Sequence, residues 1–247
     1  MHPFLEFMAQ LALSAADAIM QIREGGFSVQ HKADESPLTD ADLAAHRIIS
    51  EGLLAWDSSI PVISEENAAH PDTNERFWCV DPLDGTRSFA RGYGEFTVNI
   101  ALIEGAAPRY GVIACPLDGN CYAGDAEHGS WRKYAAGMWE PLPMAKVSVE
   151  MPRRAIIGSH HVSARMKQLL AQHQISHVQS MTSARKFCVL AEGGADIYPR
   201  FAPTYEWDTA AGHALLLGVG GQMCTIDGAD FLYGKPGFIN GGFIAAL

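Results

Sequence analysis

The densest chemistry in the sequence is the string Asp81-Pro82-Leu83-Asp84-Gly85-Thr86, placed directly after the apolar run Phe77 to Val80. Pro82 removes a backbone donor and fixes φ, and Gly85 permits a tight turn, so both carboxylates can fold back toward one point at a strand end. Carboxylates gathered in this way repel unless a cation lies between them. Mg2+ suits such a pair, because it is a hard ion that takes oxygen ligands and serves chemistry on phosphates. The competing reading is a surface turn in which Asp84-Gly85 supplies only the geometry.

Two more acidic sites favour the metal. Ser64-Glu65-Glu66 follows the apolar run Ile60 to Ile63, which puts Glu65 at another strand terminus, unless the pair is a solvated charge at a loop start. Trp207-Asp208-Thr209-Ala210-Ala211-Gly212 opens a helix of small residues, where Asp208 is either an ordinary cap or first-turn charge, or sits deep in a cleft because that helix can approach its neighbour closely. Arg185, Lys186 and Arg200 offer a local positive site for a phosphate, against the plainer reading of helix-surface charge. The ten histidines show no zinc spacing, and His160-His161 is assigned to loop or core.

The elements that must position these groups follow from periodicity. Phe4, Met8, Leu11, Ala15, Ile19 and Ile22 form one helical stripe that Gly25-Gly26 terminates, and a second helix starts after Thr39 and runs through Leu43, Ile48 and Leu53. Phe96 to Trp131 alternates strands with turn residues, a meander and hence an antiparallel sheet. Beyond a Pro-containing stretch at 141–152, strands at 155–158, 177–180 and 195–198 alternate with helices at 163–171 and 183–191, and a further helix spans 207–217. The expected division is an N-terminal α+β part, 1–145, carrying most of the metal ligands, and a C-terminal α/β part, 146–247.

Composition bounds the partners. The chain has 247 residues, 48% of them hydrophobic, and a formal net charge of −10, enough apolar sequence for a sizeable core and too acidic a balance for polymeric nucleic acid. A small anion needs only one positive site. Five scattered cysteines without a C-x-x-C pair fit a reduced setting, no secretory signal pattern is present, and no apolar run is long enough to span a bilayer.

The ordered triplet Ser64-Glu65-Glu66, Asp81 to Thr86 and Trp207 to Gly212 resembles the signature motifs of the inositol monophosphatase superfamily of Mg2+-dependent, lithium-sensitive phosphatases. The resemblance runs from Lys32-Ala33-Asp34-Glu35-Ser36-Pro37-Leu38-Thr39-Asp40-Ala41-Asp42 to the last strands. Gly94 to Ile103, Lys186-Phe187-Cys188 with Ala191-Glu192-Gly193, and Tyr198-Pro199-Arg200-Phe201 bring it nearest to the bacterial CysQ type, the 3'(2'),5'-bisphosphate nucleotidases. The chain departs from that pattern at Arg87-Ser88-Phe89, where Lys-Glu-Phe is usual, and at Thr182-Ser183-Ala184-Arg185.

The resemblance implies a layered α-β-α-β-α sandwich and two or three Mg2+ per active site. It assigns Glu65, Asp81 and the Leu83 carbonyl to one ion, and Asp81, Asp84 and Asp208 to a second. Asp42 and Thr86 become the dyad that orients and deprotonates water; without the resemblance, Asp42 is a first-turn helix residue. Ser183, Lys186 and Arg200 match the nucleotide-contacting spacing, and Gly85 and Thr86 add backbone N–H groups for the phosphate. Glu65, Leu83, Asp84 and Asp208 border the substrate as well.

The implied reaction is removal of the 3'-phosphate from 3'-phosphoadenosine 5'-phosphate (PAP), in sulfur assimilation. The alternatives are a phosphatase for inositol 1-phosphate or another small polyol or sugar monophosphate, and a nucleotide sensor without turnover. The implied partner is a small adenosine bisphosphate in the cytoplasm. Peripheral contact with the inner membrane, and monomer against homodimer, stay open.

Overall fold

The computed structural model describes residues 1–32, 35, 37–67, 75–145, 153–158 and 162–247. The chain opens with α1 (Pro3–Gly25), whose N-terminus is capped by the His2 ring accepting from Phe4 N–H at 3.2 Å, with Pro3 at the first turn where no donor is missed. Leu5, Met8, Ala12, Ala15 and Ile19 are buried, while Leu11 and Ile22 sit at the stripe's half-buried margin. A hairpin, β1 (Val29–His31) and β2 (Pro37–Thr39), leads into α2 (Asp40–Trp56). The buried face of α2 is Ala41, Asp42, Ala45, Ile49 and Leu53, and Leu43 points to solvent.

A seven-stranded sheet follows in the order β3 (Val62–Ser64), β4 (Arg76–Asp84), β5 (Thr97–Glu104), β6 (Ala107–Cys115), β7 (Asn120–Asp125), β8 (Gly129–Lys133), β9 (Trp139–Pro141). The short α3 (Thr86–Ala90) lies between β4 and β5. β3 runs parallel to β4, and every later pair is antiparallel, the expected meander. The first two strands differ in extent from the apolar runs that announce them. β3 starts two residues later than Ile60, and β4 runs on through Asp84, so the acidic pair lies within the last residues of a strand.

The second sheet has five strands in the order β11 (Ile175–Ser180), β10 (Arg153–Ile157), β12 (Ile197–Arg200), β16 (Phe243–Ala246), β14 (Gln222–Thr225). The β10–β11 and β10–β12 pairs are parallel, as crossover helices α4 (Ala164–Gln172) and α5 (Arg185–Ala191) require. β13 (Thr204–Tyr205) pairs with β15 (Ile239–Asn240) apart from both sheets. The helix expected over 207–217 is divided: a 3-10 turn, Glu206–Asp208, precedes α6 (Ala210–Gly218). α5 likewise begins at Arg185, because Ser183 has a φ of +56° and cannot continue a helix.

The layers are α1 and α2, the seven-stranded sheet, α5 and α6, the five-stranded sheet, then α4. One core joins α1 and α2 to the outer face of the first sheet through Leu5, Met8, Trp78, Ile100 and Val112. A second fills the space between the sheets, where Phe187, Leu215, Tyr198 and Phe243 meet Phe77 and Tyr122. A third packs Leu169 and Leu170 of α4 on Ala155 and Ile197. This is the layered α/β sandwich. The small residues of α6 meet small residues of the sheet: a Cβ on Gly111 of β6 would fall 2.8 Å from the Ala211 Cα, so helix and sheet meet backbone to backbone. The sheets divide between Pro141 and Arg153; of the Pro-containing stretch there, 146–152 lies outside the described residues, as do His160 and His161.

Candidate active site

The end of β4 is bent by its own sequence. Pro82 offers no ladder donor, the register with β5 shifts between Asp81 and Asp84, and Asp81 Oδ1 accepts the Leu83 N–H at 3.1 Å. Gly85 then takes a φ of +95° with its α-carbon facing the Glu95 carbonyl, and Thr86 starts α3. The bend brings two oxygens of different origin to the Thr86 hydroxyl: Leu83 O at 2.9 Å and Asp42 Oδ1 at 3.0 Å. Asp42 stands in the first turn of α2, where its Oδ2 accepts the Thr39 N–H at 2.7 Å in a capping box. Helix cap and Thr86 partner are therefore one residue, each oxygen serving one purpose. Burial raises the Asp42 pKa against the bonds from Thr39 and Thr86, which favour the ionised form.

Carboxylate oxygens of Asp81, Asp84 and Asp208 lie within 4.8 Å of one another, a group able to hold a metal ion. Asp208 arrives from the 3-10 turn, with its Oδ2 accepting Tyr205 N–H at 2.8 Å. Burial, and then the charges of their neighbours, push Asp81 well above the usual carboxylate range and Asp208 up to about 7. Burial raises Asp84 too, opposed chiefly by the Lys186 charge. Asp81 Oδ2 is buried without a hydrogen-bond partner among the described residues. Like charges this close, together with an orphaned buried oxygen, fit a hard divalent cation bound by oxygen.

Glu65 follows β3 and is tied to β4 by its N–H to Val80 O at 3.2 Å, but its carboxylate is outside the group of three. Lys32 Nζ sits 2.8 Å from both Glu65 Oε1 and Glu66 Oε1. Burial raises the Glu65 pKa; Lys32 opposes this, and the charges of Asp42 and Asp84 add to it. Residues 33, 34 and 36 of the segment that carries Lys32 lie outside the described residues.

Beside the carboxylates is a cavity of about 100 Å³ bordered by Asp84, Asp208, Ser183, Lys186 and Arg200. The nucleotide-matching residues thus line the same cavity as two members of the acidic group. Ala184 N–H donates to Asp84 Oδ2, Lys186 Nζ donates to the Ser183 carbonyl and lies 5.3 Å above the Tyr198 ring, and Arg200 is anchored on Ala202 O at 3.2 Å. Arg185 is elsewhere: its guanidinium pairs with Asp118 at 3.1 Å and donates to Tyr122 OH at 3.1 Å. The basic trio is a pair, because consecutive helix residues point about 100° apart. A second cavity of about 340 Å³, with Ile157, Met166, Pro199 and Phe201 in its wall, also reaches Arg200. In the sequence its trace is the run Pro199-Arg200-Phe201, where an aromatic residue directly follows the arginine.

No helix among the described residues is long and apolar enough to cross a membrane. The family model for inositol monophosphatases matches residues 1–245. The chain is 40% identical to the 3'(2'),5'-bisphosphate nucleotidase CysQ of Escherichia coli K12, over 98% of this chain and 99% of that protein. It is also 40% identical to the CysQ of Salmonella typhimurium, over 97% and 98%. Among solved structures, CysQ from Bacteroides thetaiotaomicron, described as a bacterial member of the inositol monophosphatase family, superposes with a TM-score of 0.83 at 32% identity, covering 100% of this chain and 97% of that one. By its whole-length match and by its fold, the chain belongs to the inositol monophosphatase family.

Proposed function

We propose that this chain is a Mg2+-dependent phosphomonoesterase that removes the 3'-phosphate of PAP and releases AMP and phosphate. The observation that carries the reading is that Asp84 and Asp208 share one cavity with Lys186 and Arg200. A substrate with two phosphates matches that layout, one phosphate at the acidic group and the other at the cationic pair. The curated relatives named as bisphosphate nucleotidases at 40% identity support the same assignment.

Asp81, Asp84 and Asp208 would hold the cation, with Glu65 and the Leu83 carbonyl as further oxygen donors for a second or third ion. Bound there, Mg2+ supplies charge neutralisation of phosphate oxygens and a lowered pKa for water. The chain itself moves the proton. Thr86 Oγ1 accepts a proton from the attacking water as its own passes to Asp42 Oδ1, 3.0 Å away. Asp42 Oδ2 stays on the helix cap, which fixes the angle of the accepting oxygen. Lys186 and Arg200 hold the distal phosphate, and their side chains are already braced by backbone carbonyls.

The test is phosphate release with Mg2+ from a panel containing PAP, 3'-phosphoadenosine 5'-phosphosulfate and inositol 1-phosphate. A strong preference for the adenosine bisphosphates is expected, together with inhibition by millimolar lithium. Preference for the inositol ester replaces the nucleotide reading with a polyol phosphatase. Nucleotide binding without any turnover replaces it with a sensor. Asp84→Asn is expected to abolish Mg2+-dependent turnover.

A further inference from the structure

Asp84 Oδ2 is the most heavily used oxygen of the acidic group. It accepts from Ala184 N–H, from Thr97 Oγ1 at 3.4 Å and from Asn99 Nδ2 at 3.4 Å. Thr97 and Asn99 belong to β5, where Thr97 pairs with Asp84 and Asn99 pairs with Asp81 across the ladder. Alternate residues of a strand share a face, so both side chains stand beside the acidic group. Both are buried, Thr97 at 0% and Asn99 at 1% exposure. The orientation of the Asn99 amide follows from chemistry, since an Oδ1 turned to Asp84 would set two acceptors against each other.

That orientation leaves Asn99 Oδ1 buried without a hydrogen-bond partner among the described residues, on the residue facing Asp81, whose Oδ2 is likewise without one among them. A buried amide with one atom unsatisfied is destabilising, so packing alone would favour an apolar residue of the same shape.

We propose that Asn99, seconded by Thr97, is a positioning residue for the metal centre: it fixes Asp84 Oδ2 so that Oδ1 is presented to the cation, and thereby sets the affinity for the metal. The proposal rests on the assignment of Asp81, Asp84 and Asp208 as cation ligands. The same oxygen holds the Ala184 N–H, so the turn carrying Ser183 is tied to the acidic group through one carboxylate. Groups that orient metal ligands in this manner change metal affinity by about 10–100-fold when removed.

The experiment is calorimetric titration of Mg2+, and of Mn2+ as a second probe, into metal-stripped wild type, Asn99→Leu and Thr97→Val. Asn99→Leu is expected to bind Mg2+ about 10–100-fold more weakly, with the Mg2+ concentration for half-maximal phosphate release raised by the same factor. Thr97→Val shifts both in the same direction by less. The thermal midpoint of stripped Asn99→Leu stays at or above the wild-type value, which a merely structural asparagine would not allow. Wild-type Mg2+ affinity in a folded Asn99→Leu overturns the proposal and leaves the metal centre standing. Should circular dichroism show Asn99→Leu unfolded, unchanged affinity in Thr97→Val overturns it instead. Absence of Mg2+ binding by wild type overturns the metal centre and this inference together.

Discussion

Asp42 and Thr86 meet across 44 residues of chain, Thr86 Oγ1 lying 3.0 Å from Asp42 Oδ1 while Asp42 Oδ2 remains on the Thr39 N–H. A carboxylate braced by a helix cap cannot rotate away from the hydroxyl it faces. The dyad is therefore rigid before any substrate arrives, and the proton acceptor costs no reorganisation during reaction.

Removing either member is expected to reduce kcat with little change in KM. Thr86→Val keeps the shape and deletes the hydroxyl, and Asp42→Asn keeps the cap, since an amide oxygen also accepts from Thr39 N–H. Loss of general-base catalysis costs about 10²–10⁴-fold. Steady-state kinetics on PAP at saturating Mg2+ check this, with Thr86→Ser expected to retain most activity. A KM effect without a kcat effect would remove Thr86 from the proton path.

Lys186 and Arg200 are expected to act on the substrate's second phosphate. Hydrogen bonds to charged groups are worth about 1.5–3 kcal/mol, so Arg200→Ala should raise KM for PAP by about 10–150-fold. The corresponding rise for a small monophosphate ester should be slight. Equal losses on both substrates would place Arg200 in the common chemistry instead. The same comparison on Lys186→Ala requires a fold check, because its ammonium also braces the Ser183 carbonyl.

Local chemistry made much of this site legible in the sequence. Asp81 to Thr86 carries its own bend, through Pro82 and Gly85, and the small residues after Trp207 announce the close approach of α6. Cross-strand relations were not legible. Asn99 reads as one polar residue in an apolar strand, and only the register shift between Asp81 and Asp84 sets it beside both carboxylates. The separation of Arg185 from Lys186 depends on how α5 is rotated against β6 and β7, where Arg185 meets Tyr122 and Asp118. No residue pattern within the helix encodes that rotation.

Glu206 is expected to be a stability residue for the turn that delivers Asp208. It is fully buried, pairs with Lys235 Nζ at 2.8 Å and accepts the N–H groups of Gly234 and Lys235 at 2.8 and 2.9 Å. Removing the acceptor strands two backbone donors, at about 1–3 kcal/mol each, while Lys235 Nζ keeps the Leu232 carbonyl. Urea unfolding of Glu206→Ala should show that loss, and Mg2+ affinity should fall with it. Loss of stability under 1 kcal/mol would mean that the C-terminal loop is held by other contacts.

His213 should make the fold acid-sensitive in a defined window. It lies in α6, nine-tenths and more buried, with Nδ1 at 3.2 Å from Tyr233 OH, and burial lowers its pKa from 6.5 to about 4. The unfolded chain binds a proton on this ring below about 6.5, and the folded chain does not until about 4. The unfolded state thus binds more protons between those values, and stability rises with pH across that interval. At 1.36 kcal/mol per unit, the contribution is about 3 kcal/mol, present above pH 6.5 and lost progressively as pH falls toward 4. Urea unfolding at saturating Mg2+, run from pH 4 to 7.5, should show this slope in wild type and a flatter one in His213→Gln. Identical slopes would mean that burial does not lower the His213 pKa in the folded protein.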